Sequence, residues 1–450
     1  MEGPRSVGRA FEEVGRLACD PRSAQVYEHG WQSWSPSTTY AVRQRPYRPS
    51  TERSRVMNYR PDRSVPDGVF QGEGLLAVQP DTEGPVHVFA AHPGADAVPS
   101  IRASLDGGSI VVSSDGEVQQ AVDDARGGMA GALGRWADGY AAAVGIGPFR
   151  PAPTVWCSWY HYFTEVTELD MVENLDAIGQ LEVPVDVVQL DDGYQAELGD
   201  WLALSGRFRS VEELVGRIRD QGRRAGIWTA PFLVSPRSRM YAERPEWLVD
   251  GVSAGRNWGE DLRALDVTHP GAAEYLQHVF ATFRDFGIDY FKIDFIYAGA
   301  LGGRRHEDVP PVEAYRRGLR LIREAVGADA YLLGCGAPIL PSVGLVDAMR
   351  VGPDVGPTYE PPDGDLAQPS QWSAALTVEG RAWQHGRFWV NDPDCLIARP
   401  EMERREEWAT HVERYGGLRG SSDRLRGLDD WGLETTRRLL ATVPPPKPFA

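Results

Sequence analysis

The residues best able to do chemistry in this chain are acids that stand directly after short apolar runs. The run 185–190 leads into Asp191 and Asp192, and the run 288–293 leads into Asp294. The run 348–351, which contains Arg350, leads to Asp354, and 388–390 leads to Asn391, Asp392 and Asp394. One acid after a strand is more often a helix cap or a loop acceptor than a catalytic group. The same placement after four separate runs points instead to one shared site. Lys292 and Asp294 are two residues apart, so on a strand they face one way while Ile293 faces the other. A lysine beside an aspartate favours the ionised carboxylate, as a nucleophile requires, and offers a donor to a substrate hydroxyl. Trp159, Trp201, Trp228 and Trp389 lie at or near the same run ends. Carboxylates among aromatic faces suit a pyranose ring, whose C–H patches pack on π-faces and whose hydroxyls need acceptors.

Those residues need a scaffold that brings the ends of several strands together. Eight strand candidates occur at 154–159, 185–190, 225–230, 288–293, 330–334, 348–351, 388–390 and 416–419, the last being the weakest. Between them, 166–179, 211–222, 272–286, 312–326 and 404–415 carry apolar residues at three and four spacing, the period of an amphipathic helix. Alternating strands and helices predict a parallel sheet, and eight strands predict a (β/α)8 TIM barrel, whose chemistry sits at the C-terminal strand ends. The alternative is an open doubly wound sheet. No GxGxxG or phosphate-binding loop follows any strand candidate, which counts against it.

At 450 residues the chain exceeds one ordinary core. Residues 1–150, with short β-type runs at 68–70, 86–89 and 109–112, are expected to form a small N-terminal β-sheet domain. Residues 151–440 are expected to form the barrel and 441–450 a short Pro-rich tail. The formal net charge of -17 argues against nucleic acid as a partner. The pairs Arg223–Arg224 and Arg304–Arg305 read as solvated surface. Cys19, Cys157, Cys335 and Cys395 form no CxxC and read as reduced thiols without a metal. No apolar leader precedes residue 15, and no stretch is long enough to span a membrane, so a cytoplasmic location is expected.

The motifs CSWYHYF (157–163), LDDGYQ (190–195), GDW (199–201), GIWTAPF (226–232), YFKIDF (290–295), LLGCG (332–336), RVGPD (350–354) and NDPD (391–394) together resemble glycoside hydrolase family 36. That family and its clan include retaining α-galactosidases. The resemblance covers roughly 156–399, with a fainter match in GWQSWS at 30–35. It implies that Asp294 is the nucleophile and Asp354 the acid/base in release of terminal α-linked galactose by double displacement. It also implies that Asp191 and Asp192 bind the axial and primary hydroxyls, with Lys292 beside them. Trp159 and Trp228 would be subsite walls, and Arg350 and Cys335 would lie at the second hydroxyl. Its substrate would be an oligosaccharide or glycoside, with no metal or cofactor. Homo-oligomers in which a neighbour's N-terminal domain borders the site would be expected, although Trp31 and Trp34 are read here as packing their own sheet.

Two departures from the family pattern stand out. Gly352 occupies a position where the family carries serine, and the flanking β-domains are short. Galactosyl transfer of the raffinose-synthase type, an α-glycosidase of different sugar specificity, and a catalytically silent sugar-binding homologue remain as alternatives.

Overall fold

A computed structural model describes residues 10–49, 55–57, 59–60 and 65–449. The first nine residues, part of the stretch read above for a leader, lie outside them. Eight parallel strands form one sheet: Thr154–Cys157, Val187–Leu190, Arg224–Thr229, Ile288–Ile293, Tyr331–Gly334, Ala348–Arg350, Val390–Asp392 and Arg419–Ser421. The eighth pairs with the first, with Val155 opposite Gly420. Across the remaining seam the Leu418 N–H donates to the Asn391 carbonyl at 2.9 Å. The sheet is thus a nearly closed barrel rather than an open doubly wound sheet.

The helices follow from capping and apolar period. Thr167 and Asp170 form a reciprocal capping box at the start of Glu168–Gln180. Pro311–Val326 buries Val312, Tyr315, Leu319, Ile322 and Val326, the three and four spacing of a face turned to the sheet. Among the described residues no helix is long and apolar enough to cross a membrane.

Upstream of the barrel, two antiparallel sheets of four and five strands pack on each other. Phe70, Ile101, Ile110 and Val112 from one meet Val26, Val78 and Phe89 from the other. In Ser109–Ser114 every second residue is buried, as the pleat requires. The sequence reading missed one element here, the helix Gly128–Val144. Its Trp136 packs edge-on against Trp383 at 5.8 Å and Phe388 at 6.1 Å, so the barrel supplies the partner for its apolar face. Of the arginine pairs read as solvated, Arg304 is exposed, Arg223 and Arg224 are half-buried, and the side chain of Arg305 is buried. That side chain is 2% exposed and lies 3.7 Å from Asp266.

The strand domain is locked to the barrel by Arg381. This fully buried side chain donates to the carbonyls of Gly30, Gln32, Ser33 and Ser35 and to that of Val351 at the end of the sixth strand. Its partners are carbonyls rather than a carboxylate, so burial lowers its pKa to about 10. The loop it grips carries Trp34 over the barrel mouth. Replacing Arg381 by Met would leave those carbonyls without their donor. An unfolding free energy lower by about 3 kcal/mol is expected in urea titration, and a change below about 0.5 kcal/mol would show that the clamp contributes little.

Candidate active site

A cavity of about 470 Å³ opens where the barrel strands end, with Asp191, Asp192, Lys292, Asp294 and Asp354 on its wall. The second and fourth strands bring Asp191, Lys292 and Asp294 together. Lys292 Nζ lies 3.0 Å from Asp191 Oδ2 and 4.0 Å from Asp294 Oδ2. Burial opposes the lysine's charge, but Asp191 and, further off, Asp294 outweigh it and hold Lys292 firmly protonated. Its hydrogen bond goes to Asp191, which also accepts from Gln189 Nε2 at 2.7 Å.

Asp294 is fixed by two other donors, Trp228 Nε1 at 3.0 Å and the Phe295 N–H at 2.7 Å. Phe295 sits at φ 51, a left-handed conformation. Contrary to the expectation from Lys292 alone, the Asp294 carboxyl is raised above its ordinary range. Burial is the largest influence, and the pull of Lys292 and Trp228 only partly offsets it.

Asp192 accepts from Gln195 Nε2 at 2.6 Å and from Trp258 Nε1 at 3.0 Å. Gly193, at φ 121, could not carry a side chain, because a Cβ there would lie 2.6 Å from the Thr164 carbonyl. Burial, reinforced by Asp191, raises Asp192 to about 6. Trp258 was missed from sequence. It stands at the tip of a hairpin, Arg256–Asn257 against Glu260–Asp261, within a long loop after the third strand. With Trp258 at φ 50 and Gly259 at φ 77, the turn has both central residues left-handed. The only local signal was the Trp-Gly pair between polar residues, a faint form of the Asn-Gly hairpin pattern.

Asp354 faces the same cavity beyond the sixth strand, its side chain 35% exposed, and Arg350 NH2 holds its Oδ1 at 2.7 Å. A side chain at Gly352 would meet Val378 Cγ2 at 2.8 Å, so the helix Gln371–Gly380 packs where a serine would otherwise stand. Arg350 itself is buried behind the wall, and so is Cys335. The Cys335 thiol hydrogen-bonds toward Asp294, and burial pushes the thiol well up. Of the tryptophans flagged by position, Trp159 and Trp228 line the cavity and Trp201 and Trp389 do not. Trp201 packs behind Trp228 at 5.9 Å, and Trp389 is core against Phe388. Trp34 is a wall residue contributed by this chain's own strand domain, whereas Trp31 packs against Val98 and Val312.

A family profile described as Melibiase matches residues 150–304. An α-galactosidase of Geobacillus stearothermophilus is 25% identical over 129 residues, which is 27% of this chain and 17% of that protein. An α-galactosidase from Thermus thermophilus, solved with p-nitrophenyl α-D-galactopyranoside, superposes with a TM-score of 0.80 at 29% identity, covering 97% of this chain and 90% of that one. The family 36 Geobacillus structure shares the fold alone, with a TM-score of 0.65 at 13% identity over 95% of this chain and 61% of that one. The chain therefore spans less than two thirds of the Geobacillus protein. It is similar to α-galactosidases of family 36, as its motifs indicated.

The raised Asp192 has a consequence that can be measured. Between about pH 4 and about 6 the native carboxyl keeps a proton that the unfolded chain releases, so this group destabilises the fold progressively as pH rises through that window. Relative to Asp192→Asn, the unfolding free energy of the unaltered protein should fall across that window. A difference independent of pH would contradict the assignment.

Proposed function

We propose that this chain is a retaining, exo-acting glycoside hydrolase that releases terminal α-linked galactose. The observation that carries the reading is the unequal setting of two carboxylates on one cavity. Asp294 is buried and held at both oxygens by N–H donors, so its lone pairs are fixed toward the cavity. Asp354 is reachable and tied through one oxygen only. A nucleophile needs the first setting; a group that protonates a departing oxygen and later meets water needs the second.

In the proposed reaction an Asp294 oxygen bonds to the anomeric carbon as the glycosidic C–O bond breaks, and the Asp354 proton passes to the leaving oxygen. Water then attacks the glycosyl-enzyme, Asp354 takes the water proton, and Asp294 leaves as carboxylate. Asp191, Asp192 and Lys292 supply charged partners for ring hydroxyls. Trp159 and Trp34 supply apolar faces, and the Trp258 N–H orients Asp192. The motif resemblance and the Thermus relative support galactose as the sugar.

A panel of p-nitrophenyl α- and β-glycosides tests this reading. The α-galactoside should be cleaved fastest, with α-galactose as the first product by NMR; β-galactose first would mean inversion and overturn the mechanism. Raffinose assays should release free galactose rather than transfer it. Asp294→Asn should lower the rate on the order of 10³-fold or more. Asp354→Asn should lower it by about 10² to 10⁴-fold for poor leaving groups and far less for p-nitrophenol. In a sugar-bound structure the two carboxyls should lie ~5 to 5.5 Å apart.

A further inference from the structure

One acid that the reaction above does not use touches the same cation as Asp354. Asp394, on the loop after the seventh strand, is fully buried, and its Oδ2 lies 2.6 Å from Arg350 NH2. That same nitrogen is 2.7 Å from Asp354 Oδ1 and donates to the Tyr160 hydroxyl at 2.9 Å. A guanidinium NH2 carries two hydrogens, and here they go to Asp354 and Tyr160, so Asp394 meets the cation as an ion pair without a hydrogen bond of its own from this nitrogen. Arg350 Nε has no hydrogen-bond partner among the described residues, so neither acid is held by the paired fork that would fix an arginine to one carboxylate.

We infer that Asp394 is a positioning residue that sets how tightly Arg350 holds Asp354, and so the pH at which Asp354 gives up its proton. The inference rests on the acid/base role proposed for Asp354. The geometry provides a second connection: Asp394 Oδ2 also accepts the N–H of Val355, the residue after Asp354, at 2.8 Å. The Tyr160 hydroxyl hydrogen-bonds to the same oxygen, and the Cys395 N–H holds Oδ1 at 2.7 Å. Asp394 keeps this position at φ 94, a conformation rare for a side chain other than glycine.

The groups facing Asp394 are Tyr160 from beyond the first strand, Arg350 at the end of the sixth and Asp354 beyond it, Asp392 at the end of the seventh and Cys395 on its own loop. Burial raises Asp394 to about 7, against the pull of Arg350. Ionised, Asp394 draws Arg350 away from Asp354 and adds negative charge beside it, and both effects keep the Asp354 proton in place. Neutral, it leaves the arginine charge to Asp354 alone, which favours loss of that proton.

Asp394→Asn keeps the shape and removes the charge. The basic limb of its kcat/KM profile should move to lower pH by about one unit. At neutral pH, raffinose cleavage should fall roughly tenfold, while cleavage of p-nitrophenyl α-galactoside, whose leaving group needs little protonation, changes much less. Equal losses for both substrates with the limb unmoved would reduce Asp394 to a structural group and overturn the inference. If Asp394→Asn does not fold, Tyr160→Phe removes a donor that helps keep Asp394 ionised. It should shift the same limb in the same direction by less, and an unmoved limb would again overturn the inference. The two readings fail separately. A much larger loss for raffinose than for p-nitrophenyl α-galactoside in Asp354→Asn is what the acid/base role requires, and an unmoved limb in the Asp394 or Tyr160 variants, with that difference observed, sinks only the inference about Asp394.

Discussion

Two buried cations, Lys292 and Arg350, each lie between two carboxylates, and the cavity wall depends on how they are shared. Lys292 serves Asp191 closely and Asp294 at 4.0 Å; Arg350 serves Asp354 and Asp394. Removing a carboxylate from water costs several kcal/mol unless charge or hydrogen bonds replace the hydration. With fewer cations than acids, the remaining compensation comes from N–H groups: the indoles of Trp228 and Trp258 and the backbone of Phe295 and Val355. Those donors come from the third strand, the hairpin after it, and the loops after the fourth and sixth strands. The electrostatics of the wall thus require several loops to arrive in register, which a barrel with all its strand ends on one face provides.

The same logic reaches the strand domain. Arg381 exchanges solvent for backbone carbonyls of the 30–35 loop and the end of the sixth strand, tying the loop that carries Trp34 to the strand that leads to Asp354. Trp34 meets Phe295 at 4.8 Å, edge to face, beside the acid proposed as nucleophile. The upstream domain therefore contributes Trp34 to the cavity wall.

The barrel was legible because its signals are local. Each strand is a short apolar run, and the two-residue alternation put Lys292 and Asp294 on one wall without any knowledge of tertiary structure. What escaped the sequence depends on contacts between distant segments. Trp258 is brought to Asp192 by a hairpin in a long loop, and nothing in 256–261 indicates where that hairpin folds. Helix Gly128–Val144 takes its orientation from Trp383 and Phe388, more than 200 residues later. Trp201 and Trp389 share the strand-end positions of Trp159 and Trp228 but point into core. The net rise of Asp294 despite a neighbouring lysine shows that pairing residues by spacing omits burial, which is a property of the whole fold. Gly352 looked like a missing hydroxyl in sequence, whereas in space it is the point where a helix packs against the sixth strand.

In the proposed reaction Asp294 carries the sugar between the two steps. A fluorinated, activated α-galactoside that forms the glycosyl-enzyme quickly and hydrolyses it slowly would trap that species. Loss of activity is expected together with one sugar bound per chain, found by mass spectrometry of proteolytic fragments on the peptide spanning the fourth strand and localised to Asp294. A label on Asp354, Asp191 or Asp192, or turnover of the reagent with no covalent adduct, would contradict it.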